Sequence, residues 1–135
     1  MKKNILLVDD DKIFNFLNEK MITSLGLANE IHFASHGEQA LNILQQYQNG
    51  EIQRPDIIFL DIDMPVMNGY EFIEAFSALD INDKHLITIV ILTSSADPHD
   101  IERARELGVR YYLNKPLGKD QIKKLISTEF AYPLN

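Results

Sequence analysis

Short apolar runs alternate along the chain with longer stretches in which apolar residues recur every three or four positions. The runs are Asn4–Val8, Glu30–Ala34, Asp56–Leu60, Ile87–Leu92 and Arg110–Leu113. The middle runs are continuous in Ile, Val, Leu and Phe, the pattern of strands buried on both faces. Glu30-Ile31-His32-Phe33 alternates instead, as a strand nearer a sheet edge does. Helical spacing links Phe14, Leu17, Met21 and Leu25, then Leu41 and Leu44, then Phe72, Ile73, Phe76 and Leu79. Ile101 and Ala104 carry a weaker version, and Ile122, Leu125, Ile126 and Phe130 the last. Start signals agree: Ser35 with Glu38 and Asn68 with Glu71 have capping-box spacing, and Asp97 precedes Pro98 as an N-cap precedes a first-turn proline. Gly26 and Gly108 follow helical stretches, as C-terminal caps do.

This order is strand then helix, five times over. It predicts an α/β fold: a doubly wound, five-stranded parallel sheet with right-handed crossovers and five helices shared between its two faces. The longest loop candidate is Gln48–Pro55, and no linker or repeat interrupts the pattern. The five units use nearly all of residues 1–135, so a single domain with no output domain is expected.

Composition narrows the chemistry. There are 20 acidic and 13 basic residues, a formal net charge of −7, and no cysteine. Disulfides, thiolate metal sites and thiol nucleophiles are therefore excluded. An acidic surface is poorly suited to phosphate backbones, so no direct DNA binding is expected. It suits a cation or a partner with a basic patch. The apolar run after Lys2 and Lys3 is too short for a secretory signal, and Leu86–Leu92 is too short for a membrane span. A cytoplasmic protein without a membrane association is expected.

In open parallel sheets, ligands bind beyond the carboxyl ends of the strands. Those ends carry Asp9-Asp10-Asp11, Asp61-Ile62-Asp63, Thr93-Ser94-Ser95 and Lys115-Pro116. Carboxylates gathered within a few ångströms repel one another, and one must take up a proton unless a cation intervenes. All-oxygen ligands select a hard ion such as Mg²⁺, which commonly combines one or two carboxylates with a phosphate oxygen. Phosphoryl transfer needs positioning and charge neutralisation above all, which the ion, Lys115 and Thr93 would supply. A carboxylate such as Asp61 can itself be the nucleophile and form an acyl phosphate. Asp11 is expected only to cap the following helix.

With these residues in order, the chain resembles a two-component response-regulator receiver domain over essentially its full length. The resemblance rests on Asp9 and Asp10 after Ile5-Leu6-Leu7-Val8, and on Asp61 with Pro65 and Gly69 beyond it. It continues with Thr93 after Ile91-Leu92, and with Tyr112-Leu113-Asn114-Lys115-Pro116. It implies a flavodoxin-like (βα)5 fold and a stand-alone phosphoacceptor signalling protein rather than a turnover enzyme. It implies that Asp61 accepts a phosphoryl group from a histidine kinase or phosphotransfer protein. Asp10 and Asp61 would ligate Mg²⁺ through their side chains, Asp63 through its backbone carbonyl, and Asp9 through water. Lys115 would pair with the phosphoryl group, Thr93 would move to hydrogen-bond it, and Tyr112 would reorient in concert. Asp63 and Ser95, each two past a site residue, would tune hydrolysis of the acyl phosphate. The output would be a shape change read by a protein partner.

Other residues have plainer expected roles. Tyr111 and Tyr112 should place one ring inside and one outside. His32, His36, His85 and His99 lack metal-ligand spacing and suit surface or cap positions. Gly69 suits a backbone constraint rather than a phosphate cradle. Asp61-x-Asp63 also resembles the nucleophile and acid pair of haloacid-dehalogenase-type phosphatases. That family carries the motif on its first strand, whereas here it follows the third.

Overall fold

A computed structural model of the protein describes residues 2–94, 97–115 and 117–127. Ser95, Pro116 and Phe130 lie outside the described residues, as does the side chain of Ile126. The strands are β1 (Lys3–Val8), β2 (Ala28–Ala34), β3 (Ile57–Asp61), β4 (Thr88–Thr93) and β5 (Tyr111–Asn114). The helices are α1 (Lys12–Ser24), α2 (Gly37–Gln48), α3 (Gly69–Ala78), α4 (Pro98–Glu106) and α5 (Lys119–Ser127), with a 3-10 turn at Lys84–Leu86. Strand positions agree with the apolar runs to within one or two residues. Asp61, Thr93 and Asn114 join strands at ends where the runs had stopped, because the ladder continues beyond the apolar residues.

All strand pairs are parallel, in the order β2-β1-β3-β4-β5. The chain runs outward from β1 to β2, then crosses to the other side of β1 to make β3. That reversal leaves a crevice beyond the carboxyl ends of β1 and β3. The register places Val8 beside Leu60 and Asp61 beside Leu92, so the ends of β1, β3 and β4 finish close together.

Alternate residues of the strands serve two cores. Leu6, Val8, Ile58, Leu60 and Ile91 face α2, α3 and α4 through Ala40, Leu44, Phe72, Ile73, Phe76 and Ala104. Ile5, Leu7, Phe59, Val90 and Leu92 face α1 and α5 through Ile22, Ile122 and Leu125. Burial of both faces is why β1, β3 and β4 read as unbroken apolar runs.

The buried face of α1 differs from the expected one. Leu17 is exposed, together with Ile13 and Phe16. Asn15, Asn18 and Ile22 are the buried residues, with Phe14, Met21 and Leu25 partly buried beside them. Two asparagines on the inner face concealed its true orientation. The cap of α2 also shifts by one residue. His36 is the N-cap and accepts from Gln39 N, while Gln39 Oε1 accepts from Ser35 N at 2.6 Å. The expected Ser35–Glu38 box is therefore replaced by a His36–Gln39 arrangement, because the helix begins at Gly37. The Asn68–Glu71 box forms in both directions, and Asp97 caps α4 ahead of Pro98. No helix among the described residues is long and apolar enough to cross a membrane.

The turn from β3 into α3 is tight. Gly69 N donates to Ile62 O at 2.9 Å, and a Cβ on Gly69 would stand 2.6 Å from Asp61 O and 2.9 Å from Ile62 Cα. Its constraint is close approach of backbone to backbone. Val66, in the same turn, holds φ at 67°, an uncommon left-handed conformation for a β-branched residue. Because backbone cannot yield as a side chain can, Gly69→Ala should lower stability by about 1–3 kcal/mol. Urea unfolding measures this; an unchanged midpoint would show that the β3–α3 turn has slack.

Candidate functional site

The crevice holds a cluster of acids facing one lysine. Oxygens from Asp9, Asp10 and Asp61 lie within 4.8 Å of one another; Asp9 and Asp61 are buried and Asp10 is exposed. Asp9 is fixed by its surroundings. Its N–H donates to Ala34 O, its carbonyl accepts from Asn15 Nδ2 at 2.9 Å, and its Oδ1 accepts from Asp11 N at 2.9 Å. Asp11 in turn accepts from Ile13 N and Phe14 N at the start of α1, the capping role expected of it. Asp61 stands at the end of β3 and accepts a backbone hydrogen bond from Asp63.

Lys115 enters from the end of β5. Its N–H donates to Thr93 O at 2.9 Å, which ties the residue after β5 to the end of β4. Its Nζ lies 2.7 Å from Asp9 Oδ2 and 3.5 Å from Asp61 Oδ1. Nζ also stands 4.3 Å from the centroid of the Phe14 ring. Burial alone would favour the neutral amine. The hydrogen bond to Asp9 and the charges of Asp61 and Asp9 outweigh it and raise the pKa of Lys115.

Two carboxylates therefore share one ammonium, with a third, Asp10, grouped beside them. Asp61 registers the imbalance: burial, then the charge of Asp9, push its pKa up from 3.8 to about 6, against the opposing pull of Lys115. An all-oxygen donor set with surplus negative charge fits a hard divalent cation. Such an ion would relieve the repulsion that protonation otherwise relieves.

The remaining predicted residues take defined places. Thr93 is fully buried at the end of β4, near the same edge. The carboxylate of Asp63 is exposed and outside the acidic group. Tyr111 is buried, as one of the two tyrosines was expected to be. Tyr112 is not outside: it packs on the core under α2, α3 and α4, and its hydroxyl is shut off from solvent. Tyr111 lies in the core under α1 and α5 and Tyr112 against the core on the other face, so each face of β5 turns one ring inward. Tyr70 of α3 reaches α4 through a hydrogen bond to Asp100 O at 3.0 Å, and Arg103 lies 4.2 Å above its ring. Burial and then Asp100 raise the Tyr70 pKa, so the phenol stays protonated.

Phe14, Asn15 and Tyr70 were not singled out from the sequence. A polar residue beside the apolar stripe of α1 was the available sign for Asn15. For Phe14 there was none, since its helical spacing accounts for it as core.

The acids and the lysine thus meet at the switch point of a doubly wound α/β sheet, where such sheets bind ligands. The chain belongs to the response regulator receiver domain family, whose model matches residues 5–127. It is 29% identical to sporulation initiation phosphotransferase F of Bacillus subtilis, over 93% of this chain and 92% of that protein. A two-component response regulator from Cytophaga hutchinsonii matches in structure with a TM-score of 0.82 and 35% identity, over 93% of this chain and 95% of that one. The Mn(2+)-bound form of the response regulator Rcp1 matches with a TM-score of 0.77 and 30% identity, over 93% and 96%. Other curated relatives are longer, and the chain spans about half of them.

The raised pKa of Asp61 has a consequence for stability. An acid with a raised folded-state pKa favours folding below its unfolded pKa, and that contribution is lost as pH rises to the folded value. Asp61 should therefore weigh against the fold progressively from 3.8 to about 6. With divalent cations chelated, Asp61→Asn should be more stable than wild type at neutral pH, by on the order of 2 kcal/mol. The difference should shrink towards zero below the unfolded pKa. Chemical denaturation across that range tests this; a pH-independent difference would mean that Asp61 is not held against its neighbours' charge.

Proposed function

We propose that this receiver accepts a phosphoryl group on Asp61 from the phosphohistidine of a histidine kinase or phosphotransfer protein, with Mg²⁺ as cofactor. The placement of Asp61, buried and grouped with Asp9 and Asp10 within reach of Lys115, carries this reading. The Mn(2+)-bound state of the similar Rcp1 structure supports a divalent cation at the site.

Asp61 is the nucleophile: a carboxylate oxygen forms the new bond to phosphorus as the bond to the donor nitrogen breaks. The electron pair of that bond leaves with the imidazole. Asp10 and Asp61 would hold the ion through side chains, Asp63 through its carbonyl and Asp9 through water. The ion, when bound, shields the carboxylates from one another and neutralises charge on the transferring oxygens. Lys115 exchanges its contacts with Asp9 and Asp61 for the phosphoryl oxygens, and Thr93 donates its hydroxyl to another. The new charge and acceptors bias a two-state element, and Tyr112 moves with Thr93 as that element switches. Asp63 and Ser95 tune hydrolysis, and with no bulky group at Ser95 the acyl phosphate has no unusual lifetime.

The protein thus catalyses its own phosphorylation and slow dephosphorylation, and its task is signalling. Its output is read by a protein partner in the cytoplasm, with no direct contact to DNA. Incubation with acetyl phosphate and Mg²⁺ should add one phosphoryl group by intact mass, and Asp61→Asn should add none. Equal labelling of both proteins would place the acceptor elsewhere.

A further inference from the structure

We propose that Phe14 is a positioning residue for this chemistry, holding the Lys115 ammonium against the acidic cluster through its ring face. The inference rests on the reading of Asp61 as phosphoacceptor, and adds a residue that the acid, hydroxyl and lysine motifs leave out.

Lysine has a long flexible stem, and its ammonium is strongly hydrated when free. Here the Lys115 side chain is only 18% exposed. Nζ meets Asp9 at 2.7 Å, Asp61 at 3.5 Å and the Phe14 ring centroid at 4.3 Å. An ammonium over an aromatic face at this distance is attracted by the ring's quadrupole, more strongly where water is excluded. The ring therefore occupies a side of the ammonium that would otherwise be hydrated.

The first turn of α1 makes this placement firm. Asp11 Oδ1 accepts from Phe14 N at 3.1 Å, which sets where the ring leaves the helix. Asn15, the next residue, donates to the carbonyl of Asp9. One helical turn thus fixes both the acid that Lys115 pairs with and the ring that covers it. Below, Phe14 packs on the core of Ile5, Leu7, Phe59 and Leu92.

The chemistry needs such a contact. Lys115 must release carboxylate oxygens and take up phosphoryl oxygens without leaving the site. A hydrogen bond to Asp9 is directional and is lost as the ammonium shifts. Attraction to a ring face varies little over small displacements, so it persists through the exchange.

The test compares Phe14→Leu and Phe14→Met, which remove the ring, with Phe14→Tyr, which keeps it. All three are made in the full chain, and thermal melts confirm that each is folded. The Lys115 ε-methylene protons should be shifted upfield by the ring in wild type and Phe14→Tyr. In the Leu and Met variants they should return to ordinary lysine positions. With acetyl phosphate and Mg²⁺, the rate constant for labelling should fall about three- to tenfold in both non-aromatic variants, and stay within about twofold of wild type in Phe14→Tyr. Equal rates in all four proteins would overturn the positioning role, as would a loss in Phe14→Tyr matching that in Phe14→Leu. An absent ring-current shift in wild type would overturn the contact itself. Failure of the wild type to take any label would instead overturn the phosphoacceptor reading, and the positioning role with it.

Discussion

The structure turns on one confrontation: three carboxylates and a single ammonium at the carboxyl edge of a parallel sheet. Asp9, Asp10 and Asp61 cannot all be charged at close range without cost, and Lys115 offsets only part of it. The rest of the fold serves to keep them together. The β1–β3 register brings two acidic strand ends side by side, and β4 holds the lysine through Thr93 O. Gly69 lets the β3–α3 turn fold back against Asp61. Two apolar cores, one on each face of the sheet, hold the strands so that the edge does not spread to relieve the repulsion.

A site under such tension is ready to respond to charge. A cation or a phosphoryl group changes the balance at Asp61 and Lys115, which meet at the end of the sheet between its two cores. Phe14 and Asn15 connect the site to α1. On the opposite face, Tyr112 lies in the core shared with α3 and α4, and Tyr70 bonds across to Asp100 beneath Arg103. Under the proposed function, this second route carries the change from the pocket to a partner surface.

Much of this was legible in the sequence, for physical reasons. Strands buried on both faces leave continuous apolar runs and an edge strand leaves an alternating one, so all five were visible, and the strand ends named the acids, the threonine and the lysine. The Asn68–Glu71 box and the Asp97-Pro98 start follow local rules that need no tertiary knowledge. The misreadings arose where a tertiary contact overrode a local pattern. Asn15 is buried because the Asp9 carbonyl needs a donor, which turned the inner face of α1 away from Leu17. Tyr112 sits inside because α3 and α4 cover it, which no two-residue alternation could reveal. Phe14 looked like ordinary core because a cation over a ring leaves no signature in spacing.

Under the proposed function, the acidic cluster holds a surplus of negative charge that a divalent cation balances. Thermal unfolding at neutral pH with increasing Mg²⁺ tests it most directly. A cation bound only by the folded state adds stability as RT ln(1 + [L]/Kd), about 2.7 kcal/mol at a hundredfold excess over Kd. The melting temperature of the wild type should therefore climb along that curve, and Asp10→Asn should respond far more weakly at every concentration. A wild-type melting temperature indifferent to Mg²⁺, or one that rises equally in Asp10→Asn, would contradict the account.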